Sequence, residues 1–195
     1  MTQFDGVFRY SKLTGLIDGT DSSILSNITT LKIRKDFTPT LASSTKYNVY
    51  FRNALFNPHS GHNAAAGGIL ETSGFKISGD SSTVFFLDDD GQGNVRRYSF
   101  SGATRVYANE TQGTIDYSTG AITINSLSVL SVENIRGEAS TKIELTVVPQ
   151  SNDIVPVRDQ VLEIDIANSS ITVSADAFVG GSSDAGVGYT TTSSY

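Results

Sequence analysis

The sequence predicts an all-β protein: antiparallel, sandwich-like sheets built from hairpins, with at most one or two short helices. Three observations lead there. Apolar residues recur with period 2 in several stretches, the signature of strands with one buried face. Turns centred on Gly and Asp separate those stretches. One segment alone has apolar spacing that fits a helix.

Near the N-terminus, Ile24, Leu25, Ile28 and Leu31 fall at i, i+1, i+4 and i+7. The following Leu31-Lys32-Ile33-Arg34 alternates instead. This pattern predicts a helical turn or loop at 22–27 and then a strand through Lys35, with no other convincing helical stripe. Tyr47, Val49 and Phe51 share one face of the next strand. Residues 57–68 are small, polar and Gly/Ala-rich, which reads as a long loop. Val84-Phe85-Phe86-Leu87 and Val95-Arg96-Arg97-Tyr98-Ser99-Phe100 predict a hairpin whose tip is Asp88-Asp89-Asp90-Gly91-Gln92-Gly93-Asn94. Thr114-Ile115-Asp116-Tyr117-Ser118-Thr119-Gly120-Ala121-Ile122-Thr123-Ile124 predicts a tighter one, with Gly120 supplying the φ > 0 that a short turn needs. Ile143, Leu145 and Val147, then Leu162, Ile164 and Ile166, predict two further half-buried strands. Pro39, Pro58, Pro149 and Pro156 all fall between strand patterns, as a residue without an N–H must. After Gly180 the alternation is lost, which predicts an extended tail. The expected division is one β module from 1–53 plus 130–180, an inserted hairpin module at 54–129, and a tail at 181–195; two consecutive domains are the alternative.

Composition narrows function. The chain has 195 residues, with 38% hydrophobic, 17% charged, 8 Tyr and 10 Phe, enough to build a core. A net charge of −6, with basic residues at most in pairs such as Arg34-Lys35 and Arg96-Arg97, argues against a nucleic-acid partner. No apolar run is long enough for a membrane-spanning helix, and Met1-Thr2-Gln3-Phe4-Asp5 is unlike a signal peptide. The absence of Cys removes disulfides and thiolate metal sites. The sequons at Asn27, Asn109 and Asn168 are expected by chance in a chain this rich in Ser and Thr.

Two groups deserve a chemical reading. His59 and His62, either side of Gly61, are the only histidines. They would need a third ligand from elsewhere to hold a transition metal, and loop packing is the simpler expectation. The acidic loop offers Asp88, Asp90 and Asn94 at alternate positions with Gly91 for a sharp turn, as at the front of a calcium loop. Position twelve, counted from Asp88, is Ser99 rather than an acid, and the flanks are strands. A plain hairpin without a cofactor is expected, with a weak Ca²⁺ site as the alternative. No G-x-S-x-G elbow, Walker-type loop or G-x-G-x-x-G motif is present, and the acids lie mostly in turns or on outward strand faces. The chain is therefore expected not to be an enzyme and to have no catalytic residues.

Five stretches in order resemble a known family. They are Asp18-Gly19-Thr20-Asp21-Ser22-Ser23-Ile24-Leu25, Tyr50-Phe51-Arg52-Asn53-Ala54-Leu55-Phe56-Asn57-Pro58-His59, Gly67-Gly68-Ile69-Leu70-Glu71-Thr72-Ser73-Gly74-Phe75, Gly113-Thr114-Ile115-Asp116-Tyr117-Ser118-Thr119-Gly120, and Pro149-Gln150-Ser151-Asn152-Asp153-Ile154-Val155-Pro156-Val157-Arg158-Asp159-Gln160. Together they resemble the C-terminal part of the baseplate wedge protein of T4-like contractile-tailed phages, in the versions found in phages of cyanobacteria. The last stretch is the most specific. The family's proteins are much longer, so the resemblance implies a fragment whose Met1 is an added start. It also implies a ring-forming scaffold of the virion's tail baseplate, assembled in the host cytoplasm. Its partners would be copies of itself and other wedge proteins, with no nucleic acid and no membrane. Interface contacts are expected from 57–68, 88–94 and the tail after Gly180, and Arg158 is expected to hold loop carbonyls, with an interface anchor as the alternative. The alternatives are a tail or adhesin module that binds glycan, with Ca²⁺ stiffening a loop, and an unrecognised hydrolase.

Overall fold

The computed structural model describes residues 6–62, 68–156 and 162–174. Its elements run α1 (Tyr10–Asp18), β1 (Ile33–Phe37), β2 (Thr45–Tyr50), β3 (Glu71–Thr72), β4 (Phe75–Ile77), β5 (Asp80–Asp89), β6 (Asn94–Ser101), β7 (Thr104–Asp116), β8 (Ala121–Leu127), β9 (Val129–Val132), β10 (Ile143–Val147) and a 3₁₀ turn (Ile166–Asn168). The protein is mostly β, as the alternation predicts, and its strands form two antiparallel sheets, the larger of them curled. A seven-stranded sheet has the order β2-β8-β7-β6-β5-β4-β9, and a three-stranded sheet the order β1-β10-β3. By its contacts the chain forms one unit through Leu162 and a second from Glu163 onward.

Both sheets of the first unit contribute to one core. Ile143, Leu145 and Val147 of β10 are fully buried, and so are Leu87, Val95, Ile122 and Ile124 of the large sheet. Period-2 alternation puts each set on one face, and burying a side chain of this size stabilises by about 1.5–3 kcal/mol. Gly113 in β7 is required by the closeness of β8: a Cβ there would lie 2.0 Å from the Thr123 carbonyl oxygen. β8 bulges where its pairing with β2 shifts register, and Ser126 takes φ 48° beside that shift. Buried Gln112 serves the irregular region of β7, accepting from Arg97 (2.9 Å) and Asn109 (3.2 Å) and donating to the Asn125 carbonyl (2.5 Å).

The β7–β8 hairpin follows its sequence. Asp116 Oδ1 accepts from the Ser118 N–H (2.9 Å) and Ser118 hydroxyl (2.6 Å), and Gly120, at φ 69°, closes the turn with its N–H on the Asp116 carbonyl (2.8 Å). A Cβ on Gly120 would sit 2.3 Å from the Asn53 carbonyl oxygen, so this glycine serves tertiary packing as well as the turn.

Two local expectations are corrected. First, an α-helix forms at Tyr10–Asp18, where no helical stripe is expected, while 22–27 is turn and coil leading to the strand at Ile33–Phe37, as expected. Helix α1 has no side-chain N-cap from Arg9; the N–H of Tyr10 is instead met by Asp153 Oδ1 at 2.9 Å, a partner 143 residues away. That start signal is not local, and Thr14 and Gly15 weaken the helical propensity. Second, 162–166 is not a strand. Asp165 accepts from the Asn168 N–H and caps the 3₁₀ turn, leaving Ile164 52% and Ile166 81% exposed. Among the described residues no helix is long and apolar enough to cross a membrane.

Candidate functional site

The three consecutive acids Asp88, Asp89 and Asp90 concentrate the buried polar chemistry of the fold. The sequence places all three in a hairpin tip. Instead β5 runs through Asp89 and β6 resumes at Asn94, so Asp88 and Asp89 are strand residues and both are buried. Successive strand side chains face opposite sides of the sheet, so the three acids acquire three separate sets of partners.

Asp88 faces away from the main core. Arg96, opposite it in the β5–β6 register, donates to both carboxylate oxygens at 3.0 and 3.2 Å. Arg105 donates at 2.7 Å and the Tyr107 hydroxyl at 2.9 Å. Burial pushes the Asp88 carboxyl up, while Arg96, Tyr107 and Arg105 pull it down. The guanidinium of Arg96 lies 4.2 Å from the Tyr107 ring centroid, and that of Arg105 4.6 Å from Tyr98. Phe86, Tyr98 and Phe100 complete this face, with ring centroids 5.4–5.7 Å apart. The strand alternation in Phe85-Phe86-Leu87 hides this second layer, because aromatics on both faces read simply as apolar.

Asp89 points to the core side. Its Oδ1 accepts the N–H groups of Ile69 (2.6 Å) and Leu70 (2.8 Å), and its Oδ2 accepts the Tyr117 hydroxyl (2.5 Å). Burial, and then the bond to Asp89, push the Tyr117 hydroxyl far above its ordinary value. Gly68, at φ 81°, is required there, since a Cβ would lie 2.1 Å from Asp89 Oδ1. Asp90 closes the turn: its Oδ1 accepts from the N–H of Gln92 (2.7 Å) and Asn94 (2.9 Å), its Oδ2 from Asn94 Nδ2 (2.6 Å). Burial opposes, but the bonds from Asn94 and Gln92 prevail and hold the Asp90 carboxyl below its ordinary value.

Of the three residues with calcium-loop spacing, the structure thus brings Asp90 and Asn94 together and turns Asp88 to the arginines. Among the described residues no group of three or more His, Asp or Glu side chains converges as metal ligands do. His59 Nε2 lies 3.1 Å from His62 Nδ1, and the ring of Phe56 meets His62 edge-on at 5.6 Å. The loop is tied to the β5–β6 turn: Gly61 N–H (2.8 Å) and Asn57 Nδ2 (3.2 Å) both donate to the Gly91 carbonyl. Residues 63–67, Arg158 and the tail after Gly180 lie outside the described residues. Two surface depressions, of about 360 and 300 Å³, are lined by Arg34, Lys35 and Asp36, and by a set including Phe56 and Pro149. Neither joins a nucleophile to a base.

The N-terminal segment is attached by backbone pairing, by polar contacts and by the buried side chain of Phe8. Phe8 pairs with Ile154, and Arg9 donates to Asp153 at 2.8 Å. The Tyr10 hydroxyl donates to the Thr29 carbonyl at 2.8 Å. Asp153 and Ile154, within the stretch 149–160 that is most specific in the resemblance, are therefore the clasp that holds 8–10. Helix α1 buries none of its residues, and Leu16 is 60%, Leu25 65% and Ile28 99% exposed.

A family model described as baseplate structural protein gp6, C-terminal domain III, matches residues 1–36, which hold this segment, α1 and most of β1. No curated protein and no solved structure matches the chain. The match supports a structural component of a phage baseplate, located in the virion tail and in contact with other baseplate proteins, and it points to a non-enzymatic role.

Proposed function

We propose that the chain is a scaffold module of the tail baseplate wedge of a T4-like phage, acting through contacts with copies of itself and with other wedge proteins in a ring. The carrying observation is the family match over residues 1–36, together with what that segment looks like in the fold: a helix with no buried residue and three aliphatic side chains at least 60% exposed. Exposed aliphatic side chains of this kind are available to be covered by a partner. The three consecutive acids point the same way. Asp88, Asp89 and Asp90 are consumed in holding strands, loop and turn together, which is structural work. The ordered resemblance to wedge proteins of cyanobacterial phages extends the reading beyond residue 36, and implies assembly in the host cytoplasm before incorporation into the virion.

The same reading takes 1–53 plus 130–180 and 54–129 as folding units that share sheets, since β2 joins the large sheet and β3 the small one. First proteolytic cuts outside 54–129 would support that division, and first cuts inside β5 to β8 would refute it. The hairpin turn is proposed to need no cation, because Asp90 closes it with three hydrogen bonds.

The test of the scaffold reading is mass in solution. Sedimentation equilibrium is expected to show dimer in exchange with monomer at tens of micromolar. A strictly monomeric chain at millimolar concentration, or turnover of an ester or glycoside, would overturn it.

A further inference from the structure

The chain between β2 and β3 brings the only two histidines of the protein together. The His62 N–H donates to the His59 carbonyl at 3.0 Å, so residues 59–62 close a turn. Gly61 stands at its third position with φ 77°, the sign of φ that this position of a type II turn requires. The two imidazoles meet across the turn: His59 Nε2 lies 3.1 Å from His62 Nδ1, with the ring planes at 89°. The turn is itself held in place. Gly61 N–H and Asn57 Nδ2 both donate to the Gly91 carbonyl, at 2.8 and 3.2 Å, and the Phe56 ring meets His62 edge-on.

The tautomers of the pair follow from its partners. His59 Nδ1 lies 3.3 Å from the Ser60 carbonyl oxygen, which can only accept. Nδ1 therefore carries the proton of His59, and Nε2 keeps its lone pair. His62 Nδ1 donates to that lone pair. Moving the His62 proton from Nδ1 to Nε2 leaves the ring neutral and sets a second lone pair beside the first.

Two unprotonated imidazole nitrogens side by side suit a borderline-soft divalent cation. Zinc–nitrogen bonds of about 2.0–2.1 Å at a tetrahedral angle span about 3.3–3.4 Å between the nitrogens. The pair at 3.1 Å needs to open by about 0.2–0.3 Å to reach that span. Both side chains are exposed, and the outer torsion of a histidine is soft, so small ring rotations turn the two lone pairs onto one point. A metal-binding imidazole commonly gives its other N–H to a carbonyl, and the Ser60 carbonyl already holds His59 in that way. Among the described residues no third His, Asp or Glu side chain converges there, so the remaining positions fall to water.

We propose that His59 Nε2 and His62 Nδ1 chelate one divalent transition-metal cation of the Zn²⁺ class, with water completing its shell. Two protein nitrogens make an open site of modest affinity, unlike a closed four-ligand structural site. Its effect is local. The metal joins the two ends of the 59–62 turn, and the bonds to Gly91 carry that stiffening to the β5–β6 turn. Ca²⁺, which takes carboxylate and carbonyl oxygens, has no place in it. The chelate needs no second copy, so it stands apart from the scaffold reading.

The test uses the whole chain without a histidine tag. Calorimetric titration with Zn²⁺ is expected to show one site per chain, and an excess of Ca²⁺ is expected not to displace the metal. His59→Ala and His62→Ala should each weaken binding at least about tenfold. Both positions are exposed, and urea unfolding without metal checks that the variants keep the fold. The unaltered chain gives a second readout. In nitrogen-resolved NMR, Zn²⁺ should shift His59 Nε2 and His62 Nδ1 while His59 Nδ1 keeps its proton. Affinity unchanged in both variants would place the metal on surface carboxylates and overturn the proposal. So would a shift confined to one imidazole, a shift at His62 Nε2 in place of Nδ1, displacement by Ca²⁺, or the absence of both heat and shift.

Discussion

Replacing Asp89 tests the claim that a single carboxylate locks the loop after Gly68 to the sheet. Asp89→Ala removes the acceptor of two backbone N–H groups, Ile69 at 2.6 Å and Leu70 at 2.8 Å, on residues that are 7% and 0% exposed. A buried donor left without a partner costs about 1–3 kcal/mol, so the two together predict a loss of about 2–6 kcal/mol. The Tyr117 hydroxyl also loses its partner, which adds to the loss. A small domain has about 5–15 kcal/mol in all, so Asp89→Ala should remove a large share of the stability. Asp89→Asn keeps Oδ1 for both N–H groups and alters only the side facing Tyr117; it should cost about 0.5–2 kcal/mol, since a net hydrogen bond is worth about 1 kcal/mol. Urea unfolding followed by circular dichroism measures both, with the slope expected to stay constant if only the native state changes. Amide exchange at Ile69 and Leu70 should speed up in Asp89→Ala more than exchange in β7. A loss below about 1 kcal/mol for Asp89→Ala, or equal losses for Ala and Asn, would show that the two N–H groups find other partners and that the lock is not the carboxylate.

Asp88→Ala leaves Arg96 and Arg105 facing an empty buried position, and should cost about 3–5 kcal/mol in the same unfolding assay, as breaking a buried ion pair does. Gly113→Ala drives a Cβ to 2.0 Å from the Thr123 carbonyl oxygen, so thermal melting should show a loss of about 1–3 kcal/mol, with β7–β8 pairing disturbed in amide exchange. Asp80, through its bonds from Thr83 and Ser82, and Asp116, through those from Ser118 and Thr119, have carboxyls lowered to about 2. A depressed folded value means the unfolded chain takes up the proton first, so this stability is complete above about pH 4 and is lost as pH falls toward 2. Melting temperatures recorded from pH 5 to pH 2 should fall, and less steeply in Asp116→Ala. Adding millimolar Ca²⁺ should leave the melting temperature unchanged, whereas a rise would restore a cation to the Asp90 turn.

Alternation and turn chemistry alone determined the class of this fold and most of its strands. Ile143, Leu145 and Val147 read as one buried face and are one, and Asp116 with Gly120 reads as a tight turn and makes one. These features are local: side-chain period and turn dihedrals depend on neighbours in sequence. Tertiary structure decided what depends on distant partners. Helix α1 starts where Asp153 meets the Tyr10 N–H, across 143 residues, so a search for caps near 10 finds nothing. The acids at 88–90 look alike in sequence, and only the pleat of β5 and its register with β6 send one to the arginines, one to the loop after Gly68 and one to the turn. The alternation at 162–166 is the converse case. A strand needs a partner as well as a pattern, and among the described residues 162–166 runs as coil into a 3₁₀ turn capped by Asp165.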